Sequence, residues 1–408
     1  MQFPVCGSHW PLQAFAAHAD GRAVGGARSP LRRIRPTVSR VDQVLAQRRH
    51  AVYLSVAGDT RSTAPCVDLG DLFRFKYCQA TSRGAAAAVC SRRLLVSLWV
   101  AIRHHSTDDP RTGGNRTEMS ASGGTKDTLA RLLQGVLVTE RRLDLAGVST
   151  SILEGGEGPP IVLLHGQGGF AAHWVQVIPH LVGSHRVIAP DLPGLGQSQV
   201  RGGRLDAPGL IAWLSDLIAQ TCTEPPILIG FSLGGSLAAR FAVDHGDRVR
   251  RIVLVNSGGL GRARPAPGAL LAFACYGMHR SSATYDRLIR QLVDDPQRIQ
   301  NVWGGRWAAF KAYDLDRTAQ KEVRTADGQL LRRVNMARIP PDQLEKIGVP
   351  VALVWARNDR IISFRIGEDA SARFGWPLHP IDDCGHFLIG ERPDAFLEAL
   401  RAAMGTPE

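Results

Sequence analysis

The sequence predicts an α/β fold, with a mostly parallel central sheet flanked by helices and a helical insertion between two strands. Three observations lead to this prediction. Residues 161–164 (Ile-Val-Leu-Leu) form a short apolar run of the kind that is buried on both faces of a parallel sheet. From residue 139 onward such runs alternate with segments of helical length, which favours parallel strands joined by crossover helices. Between about residues 261 and 341 the pattern is helical throughout, as expected of a lid inserted over the sheet.

The regular elements begin with a short amphipathic helix over residues 128–137 and two strands around the turn Ala146-Gly147. The later predicted strands are 161–164, 186–189, 227–229, 251–255 and 349–355, and the later helices are 171–182, 207–220, 236–243 and 392–402.

The chain is expected to consist of a front segment and a folded part. Residues 1–118 show neither a helical nor a strand period and end in a polar stretch before Met119. We interpret this segment as poorly structured or as a spurious upstream extension of the reading frame; a small independent domain is the alternative. The folded part is predicted to be one core in two pieces, residues 119–260 and 342–408, separated by the helical lid at 261–341.

Charge and cysteine content argue against several classes of function. The net charge is +12, but residues 1–118 hold 17 Lys and Arg against 8 Asp and Glu, so no nucleic-acid partner of the folded part is expected. The 7 cysteines include no Cys-x-x-Cys pair, which argues against a disulfide scaffold or zinc ribbon and favours a cytoplasmic protein without a metal. The most apolar run, residues 94–102, is about half the roughly 20 residues that a spanning helix needs, so no membrane span is predicted.

Residues 230–234 (Gly-Phe-Ser-Leu-Gly) match the Gly-x-Ser-x-Gly pattern between a predicted strand and a predicted helix. Such a turn is so tight that side chains two positions before and after the serine would collide. Gly230, Gly234 and Gly235 remove that collision and leave Ser232 projecting above the strand end. This setting predicts a nucleophilic serine; an ordinary serine in a glycine-rich turn is the alternative.

A second glycine-rich loop, residues 165–169 (His-Gly-Gln-Gly-Gly), directly follows the apolar run 161–164. Glycines in this place let backbone N–H groups point into a site at the edge of the sheet. The N–H of Gln167, helped by that of Gly168, is predicted to bind a developing oxyanion together with the N–H of Leu233. A plain glycine-rich turn is the alternative.

Asp359 and His386 complete a predicted catalytic triad with Ser232. Asp359 stands just beyond the predicted strand 349–355, where a carboxylate can accept the Nδ1–H of a histidine. His386 lies beside Gly385 in a loop before the last helix. The order serine, acid, histidine along the chain differs from the orders in chymotrypsin-like and subtilisin-like proteases. A turn-forming aspartate and a structural histidine are the alternatives.

With these motifs the chain resembles the α/β-hydrolase family over about residues 135–405. The resemblance rests on residues 165–169, 191–198 (Asp-Leu-Pro-Gly-Leu-Gly-Gln-Ser), 230–235, 358–360 (Asn-Asp-Arg), 385–387 (Gly-His-Phe) and 391–396 (Glu-Arg-Pro-Asp-Ala-Phe). It implies that Ser232 is the nucleophile, Asp359 the acid and His386 the base. It further implies Gln167 and Leu233 as oxyanion donors, a structural role for the 191–198 turn, and no cofactor. Members that dehalogenate haloalkanes or open epoxides carry aspartate at the elbow, so Ser232 argues against both activities.

The expected substrate is a small molecule, either a carboxylic ester or a related carbonyl compound with an apolar acyl part. Gly168 and four aromatic residues of the lid and the histidine loop are predicted to contact it; the aromatic residues are Trp303, Trp307, Phe310 and Phe387. The lid aromatics could equally form the lid's own core.

Other functions remain open at the level of sequence, as does the oligomeric state. A carbon–carbon bond hydrolase of aromatic ring-cleavage products is one, because residues 257–261 (Ser-Gly-Gly-Leu-Gly) and the arginine-bearing lid are similar to those enzymes. Phe387 stands where those enzymes usually carry tryptophan. A serine-type haloperoxidase or an acyltransferase would use the same triad. A non-catalytic hydrolase-like binding protein and a nucleic-acid-binding protein acting through the basic front segment are the remaining alternatives.

Overall fold

The computed structural model describes residues 121–335 and 337–405, with side chains from residue 127 onward. The front segment, residues 1–118, lies outside the described residues, so the expectation that it is poorly structured or spurious stays a prediction.

Within the described residues the strands form one nine-stranded sheet. They are β1 (Thr139–Leu145), β2 (Val148–Gly155), β3 (Pro160–Leu164), β4 (Arg186–Pro190), β5 (Gln199–Val200), β6 (Ile227–Phe231), β7 (Arg251–Val255), β8 (Val351–Ala356) and β9 (Leu378–Ile381). Their order across the sheet is β1-β2-β4-β3-β6-β7-β8-β9, with β5 paired to β2. The pairs from β4 to β9 are parallel, whereas β1, β4 and β5 each pair antiparallel with β2. The predicted mostly parallel sheet is therefore confirmed.

The helices flank this sheet or lie in the insertion between β7 and β8. They are α1 (Ala121–Leu133), α2 (Ala207–Thr221), α3 (Leu233–His245), α4 (Pro267–Met278), α5 (Ser282–Leu292), α6 (Pro296–Trp303), α7 (Arg306–Ala319), α8 (Lys321–Leu330), α9 (Pro341–Leu344), α10 (Phe364–Phe374), α11 (Leu388–Glu391) and α12 (Pro393–Met404). A π-helical turn, Leu331–Asn335, follows α8. We call α4 to α9 the helical insertion; its all-helical content agrees with the pattern over residues 261–341.

The predicted helix over residues 171–182 is wrong. The structure has two separate 3₁₀ turns there, Ala171–Trp174 and Ile178–His180. Pro179 has no backbone N–H to donate and disfavours the α conformation of the residue before it. The apolar side chains of this stretch are buried in the core all the same, so packing holds the irregular backbone in place of helical hydrogen bonds.

A core lies on each face of the sheet, because successive side chains of a strand point to opposite sides. In β3, Ile161 and Leu163 pack in one core with residues of α1 and α12, whereas Val162 and Leu164 pack in the other with α2 and α3. This explains why the central strands are apolar throughout. Since β3, β6, β8 and β9 are parallel, their carboxyl ends lie at one edge, and the loops that follow them can meet there.

Candidate active site

Ser232 occupies a strained turn between β6 and α3. Its φ is +53°, a left-handed backbone conformation that is uncommon for a residue with a side chain. A Cβ added at Gly230 would overlap the Gly234 carbonyl, and one added at Gly234 would overlap the carbonyl of Leu164. The close contacts therefore require glycine at both positions, and the surrounding structure holds Ser232 in its strained conformation at the sheet edge.

His386 stands between the other two residues of the predicted triad. Its Nε2 lies 3.2 Å from Ser232 Oγ, and its Nδ1 lies 2.7 Å from Asp359 Oδ2. Asp359 Oδ1 accepts hydrogen bonds from the N–H groups of Ile361 (2.7 Å) and Ile362 (2.8 Å), which orients the carboxylate. A carboxylate facing Nδ1 makes that nitrogen the donor, so Nε2 is left as an acceptor toward the serine hydroxyl.

The loop after β3 lies beside the elbow, as the sequence predicts. A Cβ on Gly166 would come within 3.2 Å of Ser232 Cβ, so glycine permits the close approach. Within the described residues, the N–H groups of Gln167 and Leu233 donate to no backbone carbonyl, and Leu233 begins α3. These are the two groups predicted to be oxyanion donors.

An insertion residue that sequence reasoning missed, Asp327 of α8, holds this loop. Its carboxylate accepts a hydrogen bond from Gln167 Nε2, and its backbone carbonyl accepts another from the same nitrogen at 2.8 Å. The carboxylate also lies beside Gly168, whose part in an oxyanion site stays a prediction. Burial raises the pKa of Asp327, and the neighbouring Gln167 amide and Gly168 N–H partly offset that effect.

Comparison with known proteins agrees with this architecture. Residues 161–399, more than half of the chain, match the profile of the alpha/beta hydrolase family. The chain belongs to the alpha/beta hydrolase family.

The alignments with several relatives of this alpha/beta hydrolase span most of the relative's length. The 2-hydroxy-6-oxo-6-(2'-aminophenyl)hexa-2,4-dienoic acid hydrolase of Metapseudomonas resinovorans is 28% identical over 273 residues, or 64% of this chain and 89% of that protein. A solved structure of 2-hydroxy-6-oxo-6-phenylhexa-2,4-dienoate hydrolase from Rhodococcus sp. is 25% identical with a TM-score of 0.58, covering 65% of this chain and 98% of that one. A shorter match, 36% identity over 110 residues, joins 27% of this chain to 42% of the pimeloyl-acyl-carrier-protein methyl ester esterase of Aeromonas hydrophila.

Asn256, at the end of β7, ties the histidine loop of this alpha/beta hydrolase to the sheet. Its Nδ2 donates to the His386 carbonyl at 2.8 Å, and its Oδ1 accepts from the N–H of Ala356 at 2.9 Å. Its φ of +40° is in the left-handed region, which asparagine tolerates better than most residues. Sequence reasoning did not predict this support.

Glu391 supports the same loop from the other side and is completely buried. Its carboxylate accepts hydrogen bonds from the N–H groups of Asp294 (2.9 Å), Asp295 (2.7 Å) and Gly385 (2.9 Å). Arg298 lies 3.4 Å from it as the opposite charge. A buried carboxylate with these partners joins the insertion to the residue that precedes His386.

His165 links the loop 165–169 to the 191–198 turn. Its Nε2 accepts from the N–H of Leu192 at 2.9 Å, so the ring proton is on Nδ1, which donates to the Gly166 carbonyl at 2.8 Å. Burial lowers the pKa of His165 to about 4, which keeps the ring neutral. In the turn itself, Asp191 accepts from the N–H groups of Ala171 and Gln197, both at 2.6 Å, in agreement with a structural role.

The aromatic residues predicted to contact substrate form a single cluster of rings. Trp303 and Phe310 are buried with ring centroids 4.4 Å apart, Trp307 stacks on Phe310 at 5.5 Å, and Phe387 faces Phe310 at 5.9 Å. Trp303 Nε1 donates to the Gly390 carbonyl at 2.9 Å, so this residue joins the insertion to the core. Phe387 follows His386 directly, which makes it the member of the cluster nearest in sequence to the triad. Substrate contact by these four residues stays a prediction.

Two further features bear on the cofactor and membrane expectations. The part of the chain that the structure describes contains no group of three or more His, Cys, Asp or Glu side chains arranged to hold a metal ion. In that same part, no helix has both the length and the apolar character needed to cross a bilayer.

Proposed function

We propose that this alpha/beta hydrolase is a serine hydrolase that cleaves a carboxylic ester or a related carbonyl compound through an acyl-enzyme on Ser232. The observation that carries the proposal is the position of His386, within hydrogen-bond reach of Ser232 on one side and of Asp359 on the other. Ser232 and His386 are only 3% and 6% exposed, so the reaction takes place in an enclosed site.

The proposed reaction has two steps. His386 Nε2 takes the proton of Ser232 while Oγ attacks the substrate carbonyl, and Asp359 stabilises the imidazolium that forms. The tetrahedral oxyanion is bound by the N–H groups of Gln167 and Leu233. His386 then protonates the leaving alcohol, and in the second step it activates a water molecule that releases the acid from Ser232. The ring cluster around Phe387 favours an apolar acyl group beside the reacting carbonyl.

A second candidate is hydrolysis of a carbon–carbon bond in a ring-cleavage product. The observation that favours it is the similarity to dienoate hydrolases at 28% and 25% identity over about two thirds of the chain. The two candidates share Ser232, Asp359 and His386 and differ in the bond that is broken.

A fluorophosphonate probe tests the serine chemistry directly, because it reacts only with an activated serine. We expect stoichiometric labelling at Ser232, located by peptide mass, and none in Ser232→Ala. An unlabelled wild-type protein would instead favour a non-catalytic binding protein. A panel of p-nitrophenyl esters of increasing acyl length, assayed beside dienoate ring-fission products, then separates ester from carbon–carbon bond hydrolysis.

Asp327→Ala is expected to lower kcat and kcat/KM by a similar factor, roughly tenfold. The variant removes the carboxylate that binds Gln167 Nε2, and Nε2 keeps only its 2.8 Å hydrogen bond to the backbone carbonyl of residue 327. The loop 165–169 is then less well positioned for a charge that exists only in the transition state. Steady-state kinetics measures both constants, with the concentration of active enzyme determined by titration with the fluorophosphonate probe. Glu322→Ala, at an exposed position of the same helix, is the matched control and should leave them unchanged. An increase in KM alone would contradict this role for Asp327.

A further inference from the structure

The first helix of the insertion, α4 (Pro267–Met278), presents an apolar face to solvent. Leu271 and Met278 are each 64% exposed and Leu270 is 46% exposed, and Phe273 lies at the edge of this face. The opposite side of the helix is buried through Ala269, Ala272 and Tyr276. We call the exposed side, formed by Leu270, Leu271, Phe273 and Met278, the α4 face.

In the described part of the chain, the exposed apolar residues are concentrated on the α4 face. Of the seven large hydrophobic side chains that are exposed among the described residues, four lie on this one helix; the others are Leu137, Val200 and Leu331. Helical geometry places Leu270, Leu271 and Met278 side by side, at about 100° per residue. Contiguous exposed apolar surface of this kind marks an interaction site more often than isolated residues do.

The composition of α4 differs from that of an ordinary surface helix. Its twelve residues include no charged side chain, whereas a solvent-facing helix normally carries charged residues on its outer side. The inner side of the helix packs in the core and its outer side is apolar, so the composition is that of a helix buried on both sides. The α4 face is therefore better suited to contact with an apolar partner than to contact with water.

The charges around α4 indicate the chemistry of the partner. Residues 261–285 contain Arg262, Arg264 and Arg280 and neither Asp nor Glu. Arg262 and Arg264 are exposed just before the helix begins. Arg280 follows its end, but its guanidinium lies 4.8 Å from the centroid of the Tyr276 ring, on the inner side of the helix. An apolar helical face with two exposed arginines at its start is complementary to an anionic lipid surface, where acyl chains meet phosphate groups.

We propose that the α4 face docks this protein on the surface of an anionic lipid bilayer. A helix of twelve residues is about 18 Å long, too short to cross the roughly 30 Å hydrocarbon layer, so it lies in the interface. Leu270, Leu271 and Met278 enter the boundary of headgroups and acyl chains while Arg262 and Arg264 contact lipid phosphates. This inference goes beyond the proposed function and does not depend on it, since attachment requires no chemistry at Ser232.

Vesicle co-sedimentation of the full-length protein tests the proposal. We expect binding to vesicles of phosphatidylcholine with about 30% phosphatidylglycerol, weaker binding to pure phosphatidylcholine, and a loss of binding as salt is raised. Leu271→Ser/Met278→Ser should reduce the partition coefficient by about tenfold or more, because two apolar side chains no longer enter the lipid. Arg262→Glu/Arg264→Glu should weaken binding to the anionic vesicles only.

The matched control is Leu137→Ser/Leu331→Ser, which removes two exposed apolar side chains elsewhere and should change the partition coefficient by less than twofold. Circular dichroism establishes that all the variants are folded. The proposal is overturned if wild-type protein does not sediment with vesicles. It is also overturned if the Leu271/Met278 variant binds as well as the wild type, which is the result expected if residues 1–118 alone attached the protein. It is also overturned if the wild type is a dimer that the Leu271/Met278 variant cannot form, since a second copy would then cover the α4 face.

Discussion

Ser232→Ala is expected to lower kcat by about five to six orders of magnitude on any substrate that the wild-type protein hydrolyses. The proposed attacking hydroxyl is lost, and His386 Nε2 loses the group whose proton it would take. The N–H groups of Gln167 and Leu233 are left in place, so a residual rate of roughly 10³ to 10⁴ over water should persist. Burst and steady-state kinetics with the p-nitrophenyl ester that the wild type hydrolyses fastest compare kcat of Ser232→Ala with that of the wild type.

Ser236→Ala is the matched control for this prediction. Ser236 lies one turn along α3 and is also buried, but its Oγ has no hydrogen-bond partner among the described residues. Its removal should therefore change neither kcat nor the free energy of unfolding by a measurable amount. Equal losses in the two variants would mean that the Ser232 effect comes from the packing of α3, and turnover by Ser232→Ala at the wild-type rate would exclude the acyl-enzyme.

Glu391→Ala is expected to lower the free energy of unfolding by roughly 3–5 kcal/mol. Three N–H groups would lose the buried carboxylate as their acceptor, those of Asp294, Asp295 and Gly385, and Arg298 would lose the opposite charge. A loss of this size is a large fraction of the stability of an ordinary domain. Urea unfolding followed by circular dichroism measures it. Activity should fall as well, because Gly385 precedes His386.

Two further variants make the Glu391 prediction specific. Glu398→Ala removes an exposed glutamate from α12 and should cost less than about 0.5 kcal/mol. Glu391→Gln keeps the volume of the side chain but places an NH₂ group where an acceptor is needed, so an intermediate loss is expected. If Glu391→Ala and Glu398→Ala unfold at the same urea concentration, the buried carboxylate does not have the role assigned to it.

The fold could be predicted from the sequence where the position of a strand in the sheet dictates its local composition. The apolar strands β3, β6, β7 and β8 are buried on both faces, so their composition alone identifies them. The segment 171–182 could not be read in this way, because its apolar residues are fully packed without being helical. There the tertiary core, together with Pro179, outweighs the local period.

The site shows the same division. Ser232 and Asp359 each follow a predicted strand, and His386 lies beside a glycine before the last helix, so local motifs were enough to propose these three residues. Asn256 and Glu391 form hydrogen bonds to backbone groups 130 and 96 residues away, and Asp327 accepts one from the side-chain amide of Gln167, 160 residues away. Such contacts leave no local pattern, since the partners are distant in the sequence and a peptide group is one that every residue has.

The sequence by itself determined the alternation of strands and helices, the glycine-rich turn at Ser232 and the motifs around Asp359 and His386, because each depends on residues that are neighbours along the chain. Only the tertiary structure decided that His386 contacts both Ser232 and Asp359, that Asp327 contacts the loop 165–169, and that α4 turns an apolar face outward. Those facts depend on which segments pack together, and packing is set by the whole core at once.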